Sequence, residues 1–343
     1  MVIILVIFAV GFAQQFNWQE MKKPYFVYDA KGVSVGWDIY HQYTYLIASD
    51  LNNTLVYGTI ANGSESWPVD ERREIMPLAA RVSASRAEGG YAAAIVPFSD
   101  WPPPEQWGVS FTSNGGQSWY YVPDDGYDPP EQPLSYNLTC VAMHPFNDQF
   151  CITGASFQPE GPAAQPTTWR TTNAGQSWRP CLLDLEHNID IPVYSIRFHP
   201  ETPGAIEWTN IIVCRRDYPI TDSTHRTYSG IYYTHTGGSS WIACPGPIND
   251  DYDALDVAIT IAYPNNHYLI TRTHDEIPQH DLWYTENFEG MPYELIRHFG
   301  PEPIFEIIAS SQNSYNNLND TVWVLSAEIL TMLTVRDGDL VTE

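Results

Sequence analysis

Phe111-Thr-Ser-Asn-Gly-Gly-Gln-Ser-Trp119 decides how this chain folds, because the stretch returns twice. Arg170-Thr-Thr-Asn-Ala-Gly-Gln-Ser-Trp178 and Tyr233-Thr-His-Thr-Gly-Gly-Ser-Ser-Trp241 keep its frame: a long or aromatic side chain, Thr, a variable position, a polar residue, a small one, Gly, another variable position, Ser, Trp. The tryptophans recur about every 60 residues, the period of an architecture built from copies of one supersecondary unit. Two degenerate copies flank the three. Tyr284-Thr285-Glu286-Asn287-Phe288 lacks the Gly and the Trp, and Thr59-Ile60-Ala61-Asn62-Gly63 has its Trp67 one residue late.

A second marker runs in phase. Val141-Ala-Met-His144-Pro145 and Ile196-Arg-Phe-His199-Pro200 are apolar strands stopped by Pro, which cannot donate to a ladder, and Ile261-Ala-Tyr263-Pro264 echoes them. Each is followed by a polar turn and another β-rich run, such as Phe150-Cys-Ile-Thr153 or Asn210-Ile-Ile-Val-Cys214, so one period holds about four short strands. The composition agrees: 27 Pro, 22 Gly, 12 Trp and 22 Tyr favour turns and strands over long helices. Four-stranded units that cannot bury both faces alone, stacked to share a core, are the blades of a β-propeller. The fold class is therefore all-β, a single propeller of about six blades, or seven if an N-terminal strand completes one. Thr321-Val-Trp-Val-Leu-Ser326 and Ile329-Leu-Thr-Met-Leu-Thr-Val335, closed by Asp337-Gly338, supply the last.

The repeated element resembles the Asp box, S-x-D-x-G-x-x-W, of sialidases, sortilin-type receptors, xyloglucanases and related propellers. The resemblance assigns structural places to Thr112, Asn114, Gly116 and Trp119, to Thr171, Asn173, Gly175 and Trp178, and to Thr234, Gly238 and Trp241. It implies a rim position away from the central cleft. Elementary chemistry says the same of the turn itself: a Thr hydroxyl and an Asx side chain bond the backbone, Gly adopts positive φ, and Trp folds back as an apolar lid. Asn114 and Asn173 replace the Asp, and Thr236 stands in the third copy, which argues against a charge-dependent role.

Lys and Arg number 16 against 41 Asp and Glu, a net charge of −25. Such a field repels phosphate, and the three Lys sit at 22, 23 and 31, so nucleic acid is set aside as a partner. Residues 1–13, MVIILVIFAVGFA, form an apolar run too short to span a bilayer and ending in small residues, which reads as a secretory signal cleaved after Ala13. Residues 14–343 are then one secreted, extracellular propeller without a membrane span. Sequons at Asn52, Asn62, Asn137 and Asn319, each in a polar, turn-like setting, fit that compartment. The five cysteines lack metal-type spacing, and Cys140 and Cys151, flanking a predicted hairpin turn, are the candidate disulfide.

Catalysis leaves a weaker trace. A sialidase clamps a carboxylate with three Arg, the first in an Arg-Ile-Pro strand, and no Arg-Ile-Pro occurs here; Arg72-Arg73, Arg81, Arg197 and Arg272 bear no such motif. A xyloglucanase-type hydrolase needs two carboxylates across a cleft, for which Asp251 or Asp253 with Asp275 or Glu276 is a candidate pair. No cofactor or resident metal is expected; the acidic runs Asp124–Asp128 and Asp250–Asp253 offer oxygen ligands of the kind Ca²⁺ takes, without an EF-hand loop. His144 and His199 read as scaffold. The expected function is a non-enzymatic propeller that binds a protein or glycan, or an extracellular structural subunit able to self-assemble, with a glycoside hydrolase as the alternative. Candidate ligand contacts are the aromatic loops Trp101–Trp107 and Tyr120–Pro130 and the pair Arg215-Arg216, which would attract an acidic group against so negative a field.

Overall fold

A computed structural model of the chain describes residues 32–38, 43–49, 55–61, 81–84, 91–97, 107–113, 120–121, 138–144, 147–155, 168–181, 193–198, 210–214, 231–244, 252–260, 267–273, 275, 277–286, 293–311, 319–326, 330–336 and 339–342. The N-terminal apolar run lies outside them. The regular structure among the described residues is all β, in six antiparallel meanders. Sheet one has three strands: β1 (Gly32–Asp38), β2 (Tyr43–Ser49) and β3 (Leu55–Ala61). Sheet two joins β4 (Arg81–Ala84), β5 (Ala92–Pro97), β6 (Trp107–Thr112) and β7 (Tyr120–Tyr121). Sheet three joins β8 (Leu138–Met143), β9 (Cys151–Ala155), β10 (Thr168–Thr171) and β11 (Arg179–Pro180). Sheet four joins β12 (Val193–Phe198), β13 (Asn210–Cys214), β14 (Ile231–Thr234) and β15 (Ile242–Ala243). Sheet five joins β16 (Tyr252–Ile259), β17 (His267–Thr273), β18 (His280–Thr285) and β19 (Glu294–Gly300). Sheet six joins β20 (Ile304–Ser311), β21 (Asn319–Ser326), β22 (Leu330–Arg336) and β23 (Asp339–Thr342).

The sheets belong to two compact units, one holding sheets one to three and the other sheets four to six. In the first unit, Ala93, Ile95, Val109 and Phe111 of sheet two pack with Cys151, Ala155 and Trp169 of sheet three. In the second, Ile231 and Tyr233 of sheet four meet Ala254, Val257 and Leu269 of sheet five, while Tyr268, Ile270 and Leu282 of sheet five meet Val322, Val324 and Leu333 of sheet six. Every residue of β9 and of β14 is buried, as expected of strands covered on both faces; the outer strand β11 is exposed.

The proline stops fall where the sequence sets them for β8 and β12, which end at Met143 and Phe198 just before His-Pro. The third echo does not close its strand: β16 ends at Ile259, ahead of Ile261–Pro264, which lie outside the described residues. A regularity invisible in the sequence replaces it. The ladder between the first and second strands slips between Leu138 and Cys140, Val193 and Ser195, Ala254 and Asp256, and Ile304 and Glu306. One bulge at one place in four consecutive first strands re-aims the residue that follows it.

Candidate functional site

The repeated turns are built alike. Thr171 Oγ1 accepts from the backbone N–H groups of Asn173 (3.3 Å) and Gly175 (2.9 Å) and donates to Asn173 Oδ1 at 2.9 Å. Asn173 Oδ1 in turn accepts from Ser177 N at 2.9 Å, and its Nδ2 donates to Ser177 Oγ at 2.9 Å. In the third copy Thr234 Oγ1 accepts from Thr236 N and Gly238 N, both at 3.1 Å, and Thr236 Oγ1 accepts from Ser240 N at 2.9 Å. A hydroxyl thus does for Thr236 what an amide oxygen does for Asn173. Gly175 and Gly238 both sit at φ +83°, a region costly for residues with a Cβ. In the first copy Thr112 is buried at the end of β6, and Asn114, Gly116 and Trp119 lie outside the described residues.

The second turn docks on the preceding sheet. Trp178 is buried with its ring 5.9 Å from that of Phe111 on β6. A Cβ placed on Gly175 would lie 2.3 Å from Phe111 Cε2, so only a hydrogen fits there. Tyr120 stacks on Phe111 at 6.1 Å and donates its hydroxyl to Ala174 O at 3.1 Å. Burial pushes the Tyr120 phenol up, with Tyr91 and Asp148 adding to the shift. In sheet five the degenerate copy keeps a lid that the sequence hides. Tyr293 directly precedes β19, as Trp178 precedes β11, and it packs in one cluster with Tyr233, the counterpart of Phe111. Its hydroxyl is buried without a hydrogen-bond partner, and burial raises it well above the usual phenol range.

Where the first strands run side by side, the bulge aims polar side chains between sheets. Asp256, on β16, accepts from Ser195 Oγ of β12 at 2.6 Å, Arg197 Nη2 at 3.2 Å, its neighbour Val257 N at 2.9 Å and Ile307 N of β20 at 3.0 Å. One buried carboxylate therefore joins three sheets of the second unit, with Arg197 half-buried beside it. The first unit has a neutral counterpart in Ser83 Oγ of β4, which accepts from Met143 N of β8 at 2.9 Å. Asp320 Oδ2 accepts from Tyr268 OH at 2.6 Å and Thr260 Oγ1 at 3.3 Å, and Asp281 Oδ1 lies 2.7 Å from Nδ1 of the exposed His298. These are the three buried carboxylates among the described residues, and each is engaged by protein donors.

Few of the remaining predicted residues fall among those described. Arg215, Arg216, Asp251, Glu276, Asn52, Asn62 and Asn137 lie outside the described residues, as do the aromatic loops apart from Trp107, Tyr120 and Tyr121. Asp253 pairs in register with Arg272, and Asp275 is exposed. Asn319 opens a strand, not a turn; its Oδ1 accepts from Arg336 Nε at 2.6 Å, while Thr321 is buried. The expected Cys140–Cys151 disulfide is not formed. Cys151 pairs with Met143 and Cys140 with Gly154, three rungs away, roughly 10 Å along the strands and outside disulfide reach. Burial pushes the Cys151 thiol far up and the Cys181 thiol up to about 12. His144 is buried against Phe150, which lowers it to about 4. Among the described residues no three His, Cys, Asp or Glu converge as a metal site.

No family model matches the chain, and no curated protein matches its sequence. Solved structures do. It is similar to an ancestral GH74 enzyme, with a TM-score of 0.60 at 14% identity, covering 96% of this chain and 39% of that one. The GH74 xyloglucanase from Xanthomonas campestris gives 0.54 at 10% identity, covering 90% and 46%. The lectin BP39L from Burkholderia pseudomallei gives 0.50 at 14% identity, covering 92% and 84%. The chain thus spans less than half the length of the two GH74 proteins. All three are β-propeller proteins, and the six antiparallel meanders agree with that fold.

Proposed function

We propose that this chain is a secreted propeller of the Asp-box type, of six or seven blades over residues 14–343, that binds a protein or glycan partner without transforming it. A structural subunit of an extracellular assembly is the same reading with the partner being part of the assembly. An observation that supports it is that Asp256, Asp281 and Asp320, the three buried carboxylates among the described residues, are held by Ser, Arg, Tyr, Thr, His and backbone groups and so belong to the scaffold. The likeness to a lectin over most of both chains supports binding. Residues 1–13 would be the cleaved signal, and Arg215 with Arg216 the contact for an acidic group.

A glycan array read in parallel with a hydrolysis panel of aryl glycosides and xyloglucan tests the reading. Binding without turnover is expected; turnover would replace it with a glycoside hydrolase, the alternative that the GH74 likeness favours, using Asp251 or Asp253 with Asp275 or Glu276. Arg215→Ala with Arg216→Ala should weaken an acidic glycan and flatten its salt dependence while leaving a neutral one unchanged.

A further inference from the structure

Ala254 of β16, Thr271 of β17, Asp281 of β18 and His298 of β19 stand opposite one another across sheet five. They share the face that meets sheet four, where Ala254 and Leu269 pack with Ile231 and Tyr233. The first three are buried, whereas the His298 side chain is 71% exposed, so the row runs from core to solvent. Trp283 follows Asp281 by two residues on β18, hence on the same face, and rests partly buried against the margin of that cluster. Its Nε1 donates to Thr271 Oγ1 at 2.8 Å, and the Tyr252 ring meets it edge-on at 5.8 Å. The indole is thereby fixed and its one donor spent, so what it offers to solvent is apolar ring. Leu295, opposite Trp283 and 41% exposed, extends that surface on the strand that carries His298.

An exposed histidine ordinarily turns freely. Here the buried carboxylate of Asp281 holds the ring, with Oδ1 2.7 Å from Nδ1. In the neutral imidazole Nδ1–H then donates to Asp281, which leaves the lone pair of Nε2 as an acceptor on the exposed side. A fixed aromatic surface next to one oriented acceptor suits a pyranose, whose C–H face packs on the ring while a hydroxyl at its edge donates to nitrogen. Charge narrows the class. A carboxylate directly behind the imidazole and a net charge of −25 disfavour an anionic sugar, and a neutral one meets no such cost.

We infer, resting on the reading of the chain as a glycan binder, that Trp283 and His298 form a subsite for one neutral pyranose unit. Trp283 is the stacking surface, Nε2 of His298 accepts from a hydroxyl, and Asp281 is the positioning residue behind it. Isothermal titration calorimetry of the full chain tests this with neutral methyl pyranosides, their uronic acids, and the same sugars lacking one hydroxyl each. The wild type should bind at least one neutral sugar, bind its uronic acid more weakly, and lose about tenfold when one particular hydroxyl is absent. His298→Ala, at an exposed position, should keep the wild-type melt, lose the same tenfold, and no longer distinguish that deoxy sugar from its parent. Trp283→Leu should weaken every neutral sugar about tenfold, with circular dichroism as its control for the fold. The inference is overturned by a wild type that binds none of these sugars, by a uronic acid that binds as tightly as its parent, or by a folded variant of either kind that binds as the wild type does. A chain that still binds a glycan elsewhere after both substitutions loses the subsite and keeps the proposed function, whereas a chain that binds no partner at all loses both.

Discussion

Gly175 and His144 show how much a single position can carry. At Gly175 a positive φ coincides with the Phe111 ring standing where a Cβ would have to go, so Gly175→Ala should cost about 2 to 4 kcal/mol, strain and overpacking acting together. Thr171→Val removes the acceptor of two backbone N–H groups and should cost about 1 to 3 kcal/mol. Urea midpoints measure both, and a wild-type midpoint for either would show the turn to be loosely held. His144 acts through pH. Its folded pKa, about 4, lies below the unfolded value near 6.5, so the unfolded chain takes up the proton first. Stability should therefore fall as pH drops through 6.5 and level off below about 4, by at most about 3 kcal/mol, less where water screens the charge. His144→Phe should flatten that part of the profile; an unchanged slope would assign it to other groups.

At the scale of an element, the lids make the comparison. Trp178→Ala and Tyr293→Ala should each cost about 3 to 5 kcal/mol, since both rings seal contacts between successive sheets. Tyr293→Phe should go the other way, gaining about 1 kcal/mol by removing a buried hydroxyl that bonds to nothing. A loss on that change would mean the hydroxyl has a partner, such as a buried water. These elements also explain which parts of the fold could be read in advance. Thr171, Asn173 and Gly175 were legible because their bonds span two to four residues, and a turn closed that locally leaves its signature in order. Tyr293 was not, because a lid is defined by the space it fills, and here a longer turn and a different ring fill it. Cys140 and Cys151 misled for the same reason: a hairpin is visible in sequence, but which rung faces which is set by the residue that closes the turn, here Met143 opposite Cys151.

Over the whole molecule, the decisive polar contacts join residues 51 to 61 apart: Met143 with Ser83, and Asp256 with Ser195 and Ile307. No local pattern announces such a node, which is why Arg197 read as a motif-less strand arginine and Asp256 drew no notice. Asp256→Ala should cost about 3 to 5 kcal/mol, because Arg197 loses its buried partner and Ile307 N its acceptor. Hydrogen exchange should show β12, β16 and β20 losing protection together; loss confined to β16 would mean that the carboxylate is not the tie between them. Predicted ligand contacts such as Arg215 and Arg216 rest on charge and spacing alone, which is as far as sequence carries a binding surface.

The meander order has a consequence in time. Among the described residues every ladder joins strands consecutive in the chain, so a polypeptide leaving the ribosome can finish each of these sheets before the next is synthesised. Bonds between sheets wait longer, and Asp256 bonds in both directions: Ser195 has already been made when it emerges, but its bond to Ile307 N waits for about fifty more residues, several seconds of translation at ordinary speed. During that wait a carboxylate destined for burial stays wet and charged, and sheets four and five are held by one side of their tie. Pulse labelling of arrested nascent chains should find the β16–β17 ladder protected before the Ile307 amide exists, and simultaneous protection of all of sheets four to six would show assembly in a single late step.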